Sequence, residues 1–116
     1  MEKNTNLPYL TEEEKEAIFQ FKAKLIKNLG DNFLFIEIFG SRATGQADKY
    51  SDIDIIVVVR ELNRQTDEIV SNLSFDLHLM CETPVDIWVS SLEELEQLTK
   101  EQWPFYLNIE KEGLRI

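Results

Sequence analysis

Cysteine is almost missing from this sequence: Cys81 stands alone among 116 residues, which leaves no intramolecular disulfide and no cysteine-based zinc site. Histidine is as scarce. His78 has no second histidine to pair with, and metal-binding histidines need partners at set spacing, so it reads as an ordinary helix residue. Basic side chains are few beside acidic ones, 12 against 22, and the formal net charge is −10. Nucleic-acid backbones are held by basic patches, so this balance argues against a general nucleic-acid binder and against templated polymerisation. A compact nucleotide carried in with Mg²⁺ stays admissible, because the metal brings the positive charge. The first residues lack a basic region followed by an apolar run, and no apolar stretch is long enough to span a bilayer. The expectation is a cytoplasmic protein with no membrane contact. Internal repeats, low-complexity segments and interdomain linkers are also missing.

What is there is an ordinary globular composition, 43% hydrophobic and 10% aromatic, on a chain whose length suits one domain, residues 1–116, with a modest core. Its most informative stretch runs from Phe33 to Val59. An apolar strand, Phe33 to Phe39, leads into the turn Gly40-Ser41-Arg42. A polar crossing, Ala43 to Ser51, then reaches Asp52-Ile53-Asp54 and a second strand through Val59. Successive strand side chains point to opposite faces, so Asp52 and Asp54 project from one face and Ile53 and Ile55 from the other. Two carboxylates side by side at the start of an apolar strand repel each other, and a divalent metal is the natural remedy. Glycine lets the preceding turn approach a ligand closely, Ser41 can cap a short helix whose free N–H groups face an anion, and Arg42 adds a forked cation. Lys49 and Tyr50 are near in sequence and read as a surface lysine and a turn tyrosine.

Around this stretch the chain alternates. Residues Met1 to Leu10 form a polar lead-in. Thr11-Glu12-Glu13-Glu14 is a capping box opening a helix whose apolar residues Ile18, Phe21 and Leu25 keep helical period to a stop at Gly30; its acidic run reads as a solvated, dipole-matched helix start. A second helix is expected from about Gln65 to Cys81, with Ile69, Val70, Leu73, Leu77 and Met80 as its buried stripe. Pro84 breaks it, and Val85 to Val89 reads as a third strand with Val85, Ile87 and Val89 on one face and Asp86 and Trp88 on the other. An aspartate in so apolar a strand is costly to bury without a charged partner; if this strand lies beside the second, Asp86 completes a triad with Asp52 and Asp54. Ser91-Leu92-Glu93-Glu94 is another capping box, and a last short helix from about Trp103 ends near Gly113. Trp88 and Trp103 read as packing or partly buried residues.

Gly40-Ser41, ten intervening residues and then Asp52-x-Asp54 resembles the signature of the DNA polymerase beta-like nucleotidyltransferase superfamily. The form Gly-Ser-Arg-Ala-x-Gly over Gly40 to Gly45, followed by Ser51-Asp52-Ile53-Asp54, is similar to its minimal nucleotidyltransferase branch, whose members are often paired with a helical HEPN toxin. The resemblance implies an α/β (α+β) nucleotidyltransferase fold, a short mixed sheet with helices packed mainly on one face and the metals on the other. It also implies that Asp86 stands where the family has its third strand carboxylate. The expected chemistry is two-metal transfer: Asp52, Asp54 and Asp86 holding two Mg²⁺ ions, Gly40, Ser41 and Arg42 binding the phosphates of ATP, and AMP passing to a hydroxyl. In the HEPN-paired branch the acceptor is a tyrosine of the partner toxin, so the resemblance implies an antitoxin that works by AMPylation, in an oligomer with that partner. Two alternatives stay open: an antitoxin that only occludes its partner, and a small-molecule adenylyltransferase of the aminoglycoside type. P-loop, Rossmann and EF-hand readings fail for want of their glycine spacings and ligand-rich loop.

Overall fold

The structure is a computed structural model that describes residues 7–46 and 51–116. Helix α1 (Glu12–Leu29) is followed by a single 3₁₀ turn, strand β1 (Phe33–Phe39), the short helix α2 (Ser41–Thr44) and strand β2 (Ile53–Val59). Helix α3 (Arg64–Met80), strand β3 (Val85–Ser91), helices α4 (Leu92–Lys100) and α5 (Pro104–Glu112) and the two-residue strand β4 (Leu114–Arg115) complete it. The strands form one sheet in the order β3-β2-β1-β4. β1 runs antiparallel to β2 and to β4, whereas β2 and β3 are parallel, joined by α3 as the crossover that parallel neighbours require. This is the mixed sheet of the expected nucleotidyltransferase fold.

Each element starts where its sequence provides a reason. Thr11 accepts a hydrogen bond from the Glu14 N–H while the Glu14 carboxylate accepts one from Thr11, so α1 begins with both halves of the capping box. Asn63 caps α3 through the Thr66 N–H. Ser91 accepts from the Glu94 N–H, but only this half of the expected box forms. Pro104 occupies the first turn of α5, where its missing N–H has no partner to lose.

The sheet is covered unequally. Ile53, Ile55, Val57 and Val59 of β2 are fully buried against α1 and α3, together with Ile36 and Ile38 of β1. At roughly 1.5–3 kcal/mol for each such side chain removed from water, this layer is the main source of stability. The opposite face carries a smaller core in which Phe39, Ile56 and Val58 meet Ile109 of α5, with Leu92, Leu95, Phe105 and Tyr106 packed around them. Thus α4 and α5 cover part of the second face. Two expectations change. Leu7 and Leu10, placed in a polar lead-in, are buried in the main core, since this segment folds back onto it; Met80, placed in the α3 stripe, is exposed at the helix end. Among the described residues no helix is long and apolar enough to cross a membrane.

Candidate active site

Three segments meet at one end of the sheet: the start of β2, the start of β3 and the turn after β1. In the parallel register of β2 and β3, Ile53 pairs with Val85 and Asp54 with Asp86. Ile53 and Val85 point into the main core, so Asp54 and Asp86 stand side by side on the opposite face, on strands about 4.8 Å apart. Asp54 is half-buried, while Asp52 and Asp86 are exposed. Burial pushes the Asp54 carboxyl above its ordinary pKa, and the negative charges of Asp86 and Asp52 push it the same way. Asp86 and Asp52 are therefore both close enough to act on Asp54.

The turn reaches them through Gly40. Its φ of 76° lies where side chains are rarely tolerated, and a Cβ there would collide with Asp54 Oδ2. The Gly-Ser backbone thus lies directly against the central carboxylate. That conformation also makes Gly40, and not Ser41, the cap of α2; Ser41 is the first helical residue, where a backbone N–H has no acceptor inside the helix. Gly45 ends α2 at φ 85°, with the Tyr9 ring so near that a Cβ would approach it to 2.6 Å.

Arg42 does not face this cluster. Its guanidinium is buried and forms a two-pronged pair with Glu14, Nη1 to Oε1 at 2.8 Å and Nη2 to Oε2 at 3.0 Å. Its Nε donates to the Ser51 carbonyl at 3.1 Å, and Nη1 also donates to the Tyr9 carbonyl at 3.0 Å. The expectation of a phosphate-facing cation is corrected here. A deeply buried acid within reach outcompetes an open site for a forked cation. The same pair corrects the reading of the acidic run at the start of α1: Glu12 and Glu13 are exposed as expected, but Glu14 is buried. Neither Glu14 nor Thr83, which joins it, stood out in the sequence. The one available signal was the capping-box glutamate itself. His78 is exposed, with Nε2 2.7 Å from the Val85 carbonyl, as befits a helix residue outside the site. Lys49 and Tyr50 lie outside the described residues.

Trp88, two residues beyond Asp86, packs against Phe39 and Phe105 at ring-centroid distances of 5.4 and 5.3 Å and is 39% exposed. Phe39 is itself the register partner of Asp54, so this aromatic cluster walls one side of the aspartates. Trp103 is more exposed, and its indole N–H donates to Glu101. A groove of about 420 Å³ further along the same face, lined in part by Phe35, Glu37, Thr99 and Arg115, does not include the aspartates.

The donor set fits a hard divalent cation. Carboxylate oxygens are the ligands Mg²⁺ takes, and mutual repulsion at Asp54 is the strain such an ion relieves. Among the described residues no three acidic, histidine or cysteine side chains are drawn into a closed metal cluster. An open arrangement suits Mg²⁺, which binds through one or two carboxylates, substrate phosphates and retained water.

A family model described as nucleotidyltransferase domain matches residues 20–115. The chain belongs to this nucleotidyltransferase family. No curated protein matches it. Among solved structures, the nucleotidyltransferase domain is similar to spectinomycin adenyltransferase AAD(9) from Enterococcus faecialis, crystallised with ATP and spectinomycin, with a TM-score of 0.57 and 25% identity. That likeness covers 69% of this chain and 35% of that enzyme, so the chain spans about a third of its length. A toxin-antitoxin structure with AMP-PNP gives a TM-score of 0.49 at 22% identity, over 83% of this chain and 69% of that one. A mutant of the toxin-antitoxin MntA-HpeT gives 0.48 at 20% identity, over 84% of this chain and 70% of that one.

Proposed function

We propose that this chain is a Mg²⁺-dependent nucleotidyltransferase that moves AMP from ATP onto a hydroxyl group. The observation that carries the reading is the pairing of Asp54 with Asp86 across β2 and β3, beside Asp52 and against the Gly40 turn. Membership of the family supports transfer of a nucleotidyl group, and the ATP held by AAD(9) supports the choice of nucleotide.

Asp52, Asp54 and Asp86 are the residues that would hold magnesium. When bound, the metal neutralises the triphosphate and lowers the pKa of an acceptor hydroxyl. The chain's own part is placement. Asp54, pinned between Gly40 and Asp86, fixes the centre of the site. Asp86, exposed on the edge strand, is the carboxylate an incoming hydroxyl can reach, and it takes the proton as the acceptor oxygen forms its bond to the α-phosphorus. The bond to pyrophosphate breaks in line, and pyrophosphate leaves toward the Gly40-Ser41 backbone. Arg42 contributes by holding that turn in place, since its charge is already matched by Glu14.

The acceptor follows from the resemblance of the Gly40-to-Asp54 motif to the minimal branch: a tyrosine of a HEPN-type partner, silenced by modification, with this chain as the antitoxin. Incubation with labelled ATP, Mg²⁺ and the neighbouring gene's product tests it. Label that reaches the partner and disappears in Asp54→Asn supports the enzyme. Neutralisation that survives Asp54→Asn without label transfer supports occlusion. The likeness to AAD(9) favours one second reading, adenylylation of a small molecule of the aminoglycoside type, with spectinomycin as the first to try. Cells expressing the chain with unchanged sensitivity to spectinomycin would count against that acceptor.

A further inference from the structure

The segments that carry the site are joined from beneath by one group of polar contacts. Arg42 sits two residues after Gly40, and its Nε holds the carbonyl of Ser51, the residue just before Asp52. Glu14, which receives both prongs of that guanidinium, also accepts the Thr83 hydroxyl on Oε2 at 2.5 Å and the Thr11 N–H on Oε1 at 2.8 Å. Thr83 lies three residues before Asp86, and the Pro84 carbonyl between them accepts the Ile53 N–H at 3.0 Å, tying the start of β3 to the start of β2. One carboxylate therefore links α1, the Gly-Ser turn, the residue before Asp52 and the approach to Asp86. Arg42 and Glu14 are 4% and 5% exposed.

Stability alone does not call for an ion pair in this place, because well-packed apolar side chains of similar volume are often as good or better there. A two-pronged pair offers something apolar packing lacks: direction. Its hydrogen bonds fix both the distance and the orientation of the groups they join. We propose that Glu14 is a positioning residue, acting through Arg42 and Thr83 to set the spacing of Asp52 and Asp86 about Asp54. The effect on turnover rests on the nucleotidyl-transfer reading; the mechanical link does not.

Thr83→Val tests it with the Glu14–Arg42 pair left intact, and Thr83→Ser restores the hydroxyl. The first readout is amide hydrogen exchange in the full chain without ligand. Exchange at Ile53, compared with mid-strand Val57, is expected to rise about tenfold in Thr83→Val and to return to the parent ratio in Thr83→Ser. The second readout is steady-state transfer from ATP. Here kcat per folded molecule is expected to fall about 10- to 100-fold, the scale of losing a partner that orients a ligand, with little change in KM, and to recover in Thr83→Ser. An unchanged Ile53 ratio, or exchange that rises equally in every element, overturns the link. A raised ratio with unchanged kcat overturns the positioning role. A parent chain that transfers no nucleotide would sink the proposed function and leave the Ile53 ratio to decide the link by itself.

Discussion

Gly40 and Asp54 are in such close contact that a single methyl group cannot be added to Gly40 without displacing the carboxylate: a Cβ there would overlap Oδ2 of the aspartate. Because Gly40 also has a φ of 76°, Gly40→Ala is strained twice, once in its own backbone and once against the carboxylate. The substitution is expected to cost about 1–3 kcal/mol of folding free energy in urea unfolding and to abolish nucleotide binding in the molecules that remain folded. Normal nucleotide affinity in Gly40→Ala would contradict the placement of the turn.

Asp86→Asn should act in opposite directions on stability and on activity. Burial raises the Asp54 carboxyl first, and the charge of Asp86 adds to it, so removing that charge relieves the folded chain. Without Mg²⁺ the variant should melt higher than the parent at neutral pH. With Mg²⁺ and ATP in excess the order should reverse, because only the parent gains the full stabilisation of a bound ligand. Transfer should drop by about a hundredfold or more. Thermal melting in the two conditions checks the crossing; a variant that melts lower in both would contradict it.

Glu14 sets a pH dependence of known sign. Its burial disfavours the charged form, but hydrogen bonds from Arg42, Thr83 and the Thr11 N–H, together with the Arg42 charge, bring the carboxyl below its ordinary value of 4.5. A carboxyl lowered on folding contributes stability that is fully present above its unfolded pKa and is lost as pH falls through the folded one. Glu14→Gln is therefore expected to be less stable than the parent by about 3–5 kcal/mol at pH 7, with the gap closing below about pH 4. A gap that stays constant down to pH 3 would contradict this.

Trp88→Ala removes two aromatic contacts, to Phe39 and Phe105, from the wall beside the aspartates. At roughly 0.5–1.5 kcal/mol for each, the expected loss is about 1–3 kcal/mol in denaturant unfolding. An unchanged midpoint would mean that the tryptophan packs elsewhere.

Local patterns were legible where neighbours in sequence decide the structure. The Thr11 box, the Phe33–Phe39 strand, the αβ alternation and the break at Pro84 all depend on residues within a turn of one another, and the structure has each of them. The Asp54–Asp86 juxtaposition needed only alternation plus the assumption that β2 and β3 are neighbours. Arg42 could not be read this way. Its partner Glu14 lies 28 residues earlier and doubles as a helix-capping residue, so nothing local distinguishes a buried acid from the exposed Glu12 and Glu13. β4 was equally hidden, since two residues carry no period; it is defined by pairing with Glu37 and Ile38 of β1. The cover that α4 and α5 give the second face depends likewise on tertiary packing, visible only as Ile109 against Phe39, Ile56 and Val58.

Titration calorimetry of ATP into the full chain, with Mg²⁺ and with EDTA, for the parent and for Asp54→Asn, tests the central claim most directly. The expected result is metal-dependent uptake of ATP by the parent and binding about a hundredfold weaker in Asp54→Asn. Uptake that is undiminished in EDTA, equal in the two proteins or missing from the parent would contradict it.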